Sequence, residues 1–184
     1  MRTSQPRIEP LSSDQWSEEA AEVMAPFVAI GRDINIFRTL ANHPGLMRRW
    51  LVFGNHVLGK STLSDRDREL VILRTGVLCR AVYEWGQHVP IARDAGLTDD
   101  EIRRIRTGPD AAEWSERDRL LLAAADELHD DAFVSDETWA ALAAHLTTEQ
   151  LIDLVFAVGQ YTLVSMALNS FGVEPDEGSP GWDV

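Results

Sequence analysis

Glu69 and His88 are the residues of this chain whose types and positions best suit chemistry. Each is an ionisable group on a stretch that is otherwise apolar at helical spacing. Around Glu69 the neighbours one turn away are Ile72, Leu73 and Gly76; around His88 they are Glu84, Trp85, Ile91 and Ala92. An unpaired charge on a buried stripe is costly, so such groups need partners or a purpose. A fold that brings this carboxylate and this imidazole together makes a small acid–base site. A plainer arrangement uses the same residues. Glu69 then satisfies backbone N–H groups near a helix start, or pairs with Arg68, and His88 is a core histidine bonded to a neighbour. Glu84 and His88 stand at i, i+4 with Glu69 possible opposite. That is an acceptable ligand set for a divalent ion, but it contains a single imidazole, and no metal is expected.

Helices must position these groups. Ser64 is a suitable cap for a helix over residues 65–78 that carries Glu69, with acidic residues in its first turn. A second helix over 81–96 carries His88 and stops at Gly96. Upstream, residues 1–12 read as an extended arm with two prolines. Ser13 or Asp14 caps a helix through Trp16 to Phe27, Asn35 caps a short helix to Ala41, and Pro44 opens one that buries Leu46, Trp50, Phe53 and Val57. Downstream, Thr98 caps 99–106, Ser115 opens an amphipathic helix to His129, and Ser135 caps 136–145. Thr147 with Gln150 forms a capping box for a helix ending at Gly172. No strand is expected. Residues 13–173 read as one all-α domain, and 174–184 as a loose polar tail rich in Pro and Gly.

Composition narrows the partners. Seventeen Lys and Arg against 30 Asp and Glu give a formal charge of −13, which argues against nucleic acid and anionic membrane surfaces. With 45% hydrophobic residues and no uninterrupted apolar run of about 20, no membrane span is expected. The single cysteine, Cys79, cannot form an intrachain disulfide, and with no signal peptide visible the expected location is cytoplasmic.

The run LSDRDRELVILRTGVLCRAVYEWGQHVPIARDAGLTDDEI, residues 63–102, resembles the carboxymuconolactone decarboxylase family of the alkylhydroperoxidase D-like superfamily. The match rests on Arg68-Glu69-Leu70, Tyr83-Glu84-Trp85 followed by His88, Ala95-Gly96-Leu97-Thr98, and Gly159-Gln160-Tyr161-Thr162 with Met166, Asn169 and Phe171-Gly172-Val173. His43-Pro44-Gly45 with Trp50 and Phe53 extends it to roughly residues 35–173. The resemblance implies an all-α fold assembled as a homo-oligomer, a trimer or hexamer. In the peroxidase branch it places a Cys-x-x-Cys pair where Ala81 and Glu84 stand here. A dithiol mechanism needs an attacking thiolate and a resolving thiol, so this chain fits the branch lacking the pair.

That branch implies a lyase acting without metal or organic cofactor on a small carboxylated or lactone-like compound. On this reading His88 donates and accepts the proton, Glu69 orients it, and Glu84 contacts the same site. Tyr83 and Tyr161 are candidate hydrogen-bond donors, Trp85 a candidate wall, and Arg74 a candidate anchor for an anionic substrate. An isomerase acting by the same acid–base chemistry is part of this reading; a peroxidase-like redox protein and a non-catalytic oligomeric binding or accessory protein are the alternatives.

Overall fold

Ser64 opens the central helix by accepting the backbone N–H of Asp67 at its side chain, 3.1 Å away. In this computed structural model, which describes residues 3–182, that helix, α4 (Asp65–Leu78), packs against three others: α5 (Val82–Asp94), α7 (Glu116–Asp131) and α9 (Thr148–Phe171). Residues Asp67 through Gly76 are all buried. A helix covered on every side cannot leave its charged side chains unpaired. Asp67 accordingly accepts from Arg117 at 2.5 Å, and Arg74 holds Asp126 through Nε at 2.5 Å and Nη2 at 2.7 Å.

Around this centre lie α1 (Glu18–Ala29), α2 (Asn35–Leu40), α3 (Pro44–Gly59), α6 (Asp99–Ile105) and α8 (Asp136–Ala143). Among the described residues the chain is all-α, as its pattern of apolar positions predicts. The main core joins Leu70, Leu73, Trp85 and Val89 to Leu121, Leu122 and Leu154. A satellite core of Ala20, Met24 and Met47 holds α1, α2 and α3 together.

The turn from α4 into α5 decides whether Glu69 can meet His88. Arg80 sits in the left-handed region at φ 54°. Its N–H donates to the Val77 carbonyl and that of Ala81 donates to the Gly76 carbonyl, both at 2.9 Å. This is the double bond pattern of a Schellman turn, with arginine where glycine is usual. It sends α5 back along α4 with no intervening loop.

Several expectations need correction. The first helix begins after Ser17, whose side chain accepts from Ala20, while residues 13–15 form a separate 3-10 turn. Extended backbone at Trp16 separates the two. Asn35 is not the cap of α2; the Asp176 carboxylate takes that role by accepting the Asn35 N–H at 2.9 Å. In α3, Met47 and Val57 are buried but Leu46 is 51% exposed and Phe53 37%.

Helix α9 is long and apolar enough to cross a membrane by length and composition, although polar residues such as Asp153, Gln160 and Asn169 interrupt it, and half of its most apolar window is buried inside the fold. It is the core helix against which α3, α4, α5, α7 and α8 pack. It ends at Gly172, φ 70°, where a Cβ would lie 2.4 Å from Thr3 Oγ1 and 3.0 Å from the Gln5 carbonyl. The extended N-terminal arm crosses there, and Arg7 and Ile8 donate to the Phe171 carbonyl.

The tail is not loose. Asp176 accepts from the Tyr83 hydroxyl at 2.7 Å and from Gln87 at 3.0 Å. Trp182 stacks on Trp85 with centroids 5.4 Å apart, and Arg106 donates to the Trp182 carbonyl. Gly86 makes this docking possible, since a Cβ there would stand 2.8 Å from the Pro180 carbonyl oxygen. Pro and Gly, which suggested disorder, here serve close packing. Residues 183–184 of the expected tail, and 1–2 of the arm, lie outside the described residues.

Candidate functional site

Glu69 lies in the second turn of α4, and Glu84 and His88 lie one turn apart on α5. His88 Nδ1 donates to Glu69 Oε2 at 2.6 Å, and His88 Nε2 is in ion-pair contact with Glu84 Oε1 at 3.1 Å. The other oxygen of Glu69 accepts from Arg68 Nε at 3.2 Å, and Arg68 Nη1 reaches the exposed Asp65 at 2.6 Å. All four members of the chain Arg68, Glu69, His88 and Glu84 are buried. Their charges alternate, so the group sums to neutral when His88 is protonated. That is the arrangement under which ion pairs survive burial.

The same arrangement sets the protonation of His88. Burial works against an imidazolium, but the charge and hydrogen bond of Glu69, reinforced by Glu84, outweigh it and push the pKa up to about 10. An unperturbed imidazole titrates near neutrality and both donates and accepts a proton, the role expected of His88 from the sequence. The structure instead gives a histidine that holds its proton at neutral pH, a donor rather than a base. A carboxylate is then the available acceptor.

A cavity of about 100 Å³ opens beside this group, between α2, α3, α5 and α9. His88 and Glu84 line it, together with Trp50, Gln160 and Tyr161. Glu69 does not. It is fully buried behind the imidazole and reaches the cavity only through it. Glu69 is therefore a positioning residue, while His88 and Glu84 are the groups that can touch a ligand. Tyr161 meets the His88 ring edge to face at 4.9 Å. Burial, with Glu84 and Glu69 nearby, raises its pKa well above the usual value, so the hydroxyl stays protonated. Among the described residues that hydroxyl has no hydrogen-bond partner, and it is free to donate to a ligand.

The other expected binding residues divide. Tyr83 lines the cavity, but its hydroxyl is committed, donating to Asp176 and accepting the Ile36 N–H at 3.1 Å. Trp85 is fully buried in the main core and does not border the cavity. Arg74 is also elsewhere: besides Asp126 it donates to the Ile105 carbonyl at 3.0 Å, tying α4 to α6 and α7. The guanidinium that does border the cavity is Arg32, exposed on the loop after α1 and without an ion-pair partner among the described residues. Helical periodicity carries no signal for it, because a loop residue has no face. Gln160, 5% exposed and on the cavity wall, was quoted only as part of a motif. A glutamine on the buried side of a helix beside Tyr161 was the signal available.

Ala81 and Glu84 occupy the positions where the resemblance places a cysteine pair. Cys79 is displaced from both. It closes α4 outside the cavity, with Sγ 3.8 Å from His129 Nδ1.

Residues 44–127 match the model of the carboxymuconolactone decarboxylase family. No curated protein matches the sequence. Among solved structures, the alkylhydroperoxidase AhpD core of an uncharacterized peroxidase-related protein from Ralstonia eutropha JMP134 is similar at a TM-score of 0.81 and 18% identity, covering 95% of this chain and 94% of that one. An uncharacterized peroxidase-related protein from Silicibacter sp. TM1040 is similar at 0.80 and 15% identity, with 96% of each chain covered. The debrominase Bmp8, in complex with 2,3,4-tribromopyrrole, is similar at 0.76 and 13% identity, covering 92% and 91%. At these identities the likeness is one of fold. The central helices of the chain thus match the model of the carboxymuconolactone decarboxylase family, and over nearly its whole length the chain has a fold similar to that of AhpD-like proteins.

Proposed function

We propose that this protein is an acid–base catalyst, a cofactor-independent lyase or isomerase, acting on a small compound with a mainly apolar body and a carboxylate or lactone carbonyl. The observation that carries the reading is the placement of the His88 ring, held by Glu69 at 2.6 Å and facing the cavity beside Glu84 at 3.1 Å. A proton donor and a proton acceptor then stand side by side in a site sheltered from water. Arg32 supplies the cation for an anionic group of the substrate, and the Tyr161 hydroxyl supplies a neutral donor to a carbonyl oxygen that gains charge.

In a decarboxylation the bond to the carboxyl carbon breaks and CO2 leaves. Its electron pair moves onto the adjoining carbonyl, and His88 delivers a proton to the carbon left behind. In an isomerisation Glu84 removes a proton from one carbon and His88 returns one to another. Both depend on proton transfer at a carbon next to a carbonyl. The cavity size and its largely apolar wall support a small ring, and the fold of Bmp8 accommodates one in tribromopyrrole.

The test is solvent-deuterium exchange, followed by NMR, into a panel of small lactones and keto acids. Exchange or CO2 release by the native protein, lowered about 100-fold or more in His88→Gln, is expected from the usual size of general acid–base effects. Equal rates in the two proteins overturn the reading.

The proposal includes assembly with copies of the same chain. Ile152, Phe156, Leu163 and Met166 form an exposed apolar stripe along α9, and Phe53 of α3 joins it with ring centroids 6.0 Å from Phe156. A contiguous exposed apolar stripe is the kind of surface by which proteins contact one another. A monomeric mass by light scattering rejects this part.

A further inference from the structure

A second cavity, of about 180 Å³, lies between α2, α3 and α9 and has no polar wall surface. Leu40, Leu46, Trp50, Leu163, Leu168 and Phe171 are among its lining residues, and none of those bordering it is ionisable. We propose that this cavity is a binding site for a small uncharged apolar ring or short hydrocarbon chain, distinct from the acid–base cavity. The inference does not rest on the role of His88.

Volume and chemistry together select the ligand. Protein interiors are close-packed, and voids larger than a water molecule are few. A space of 180 Å³ exceeds the ~150 Å³ of an engineered Leu/Ile/Phe-lined cavity that stays dry and accepts benzene. Water inside would find no hydrogen-bond partner on a wall without polar surface. An ion would have no counter-charge. An aromatic ring or short alkyl chain satisfies both size and polarity. Leu46 and Leu163, each 51% exposed, flank an entrance, and Leu163 also belongs to the apolar stripe along α9, so the ligand enters beside the proposed contact between copies. Ile36, Trp50 and Val164 border both cavities, so a ligand in the second presses on a wall of the first.

Toluene is the probe, titrated into the full chain and followed by the methyl resonances of Ala167 and Leu168, which border this cavity and not the acid–base one. Saturable one-to-one binding of toluene is expected. Ala167→Phe fills the cavity and is expected to weaken toluene binding at least 10-fold, while His88→Gln leaves it within twofold. Toluene affinity unchanged in Ala167→Phe, or no saturable binding to the native protein, overturns the proposal. Crystals of the native protein under xenon pressure give an answer without any variant. Xenon density among Leu40, Trp50 and Leu168 supports the site, and an empty cavity overturns it.

Discussion

His88 Nδ1 and Glu69 Oε2 lie 2.6 Å apart across the α4–α5 pair, joining residues 19 apart in the chain. Both side chains are buried, so this bond changes stability as well as chemistry. The folded protein holds the His88 proton more tightly than an unfolded chain does, with a pKa of about 10 against 6.5. Its contribution is complete below pH 6.5 and is lost as pH rises toward 10. Stability is therefore expected to fall by on the order of a few kcal/mol across that window. Denaturant midpoints at pH 6, 8 and 10 measure it. His88→Gln should flatten the slope; an equally steep slope in that variant assigns the pH dependence to other groups.

Arg32 and Arg74 separate substrate binding from folding. Arg32→Gln removes an exposed cation at the cavity and should raise KM or Kd for a carboxylated ligand about 10-fold, some 1.4 kcal/mol, with little change for its neutral amide. Arg74→Gln breaks a pair between buried Arg74 and half-buried Asp126, so it should cost about 1–3 kcal/mol of stability and leave KM of the folded fraction alone. Urea unfolding and steady-state kinetics on both variants suffice. The opposite pattern would return Arg74 to the binding site.

Asp176 braces the cavity from the tail. It accepts from Tyr83, Gln87 and the backbone of Asn35, next to Ile36 on the cavity wall. Asp176→Ala should cost about 1–3 kcal/mol, given the donors left unpaired, and should open the chain beyond Val173 to limited proteolysis. A tail that resists proteolysis as well as the native one shows that the Trp85–Trp182 stack and Arg106 hold it alone.

The helices were legible because their ends carry side-chain caps: Ser64, Thr98, Ser135 and Thr147 each accept a backbone N–H as expected, and Ser115, read as the first residue of its helix, does the same for α7. Glu69 and His88 were legible because charge on an apolar stripe is rare. What was hidden depends on tertiary approach. Periodicity places Glu69 on a buried face but does not tell a cavity wall from the layer behind it. It assigns Arg74 to a helix but not to the Asp126 opposite. Arg32 and Asp176 lie in irregular segments, where the pattern says nothing about which residues they overhang. The raised pKa of His88 needs two carboxylates at measured distances, which spacing alone cannot supply.

Arg80 carries the last prediction. Its φ of 54° is in the region that costs a non-glycine residue about 1 kcal/mol. The side chain is exposed and makes no ion pair among the described residues, so nothing on it repays that cost. Glycine at this position loses the Cβ clash and keeps both turn bonds from residues 80 and 81 to the carbonyls of Val77 and Gly76. It also loosens the unfolded chain, which offsets part of the gain. Arg80→Gly should therefore stabilise the protein by up to about 1 kcal/mol, a rise in Tm of about 2–4 °C for a chain of this size. Arg80→Val, β-branched and poorly suited to positive φ, should move Tm the other way. If both variants melt below the native protein, the arginine side chain stabilises the turn through a contact of its own, and the meeting of Glu69 with His88 depends on more than the backbone geometry of the turn.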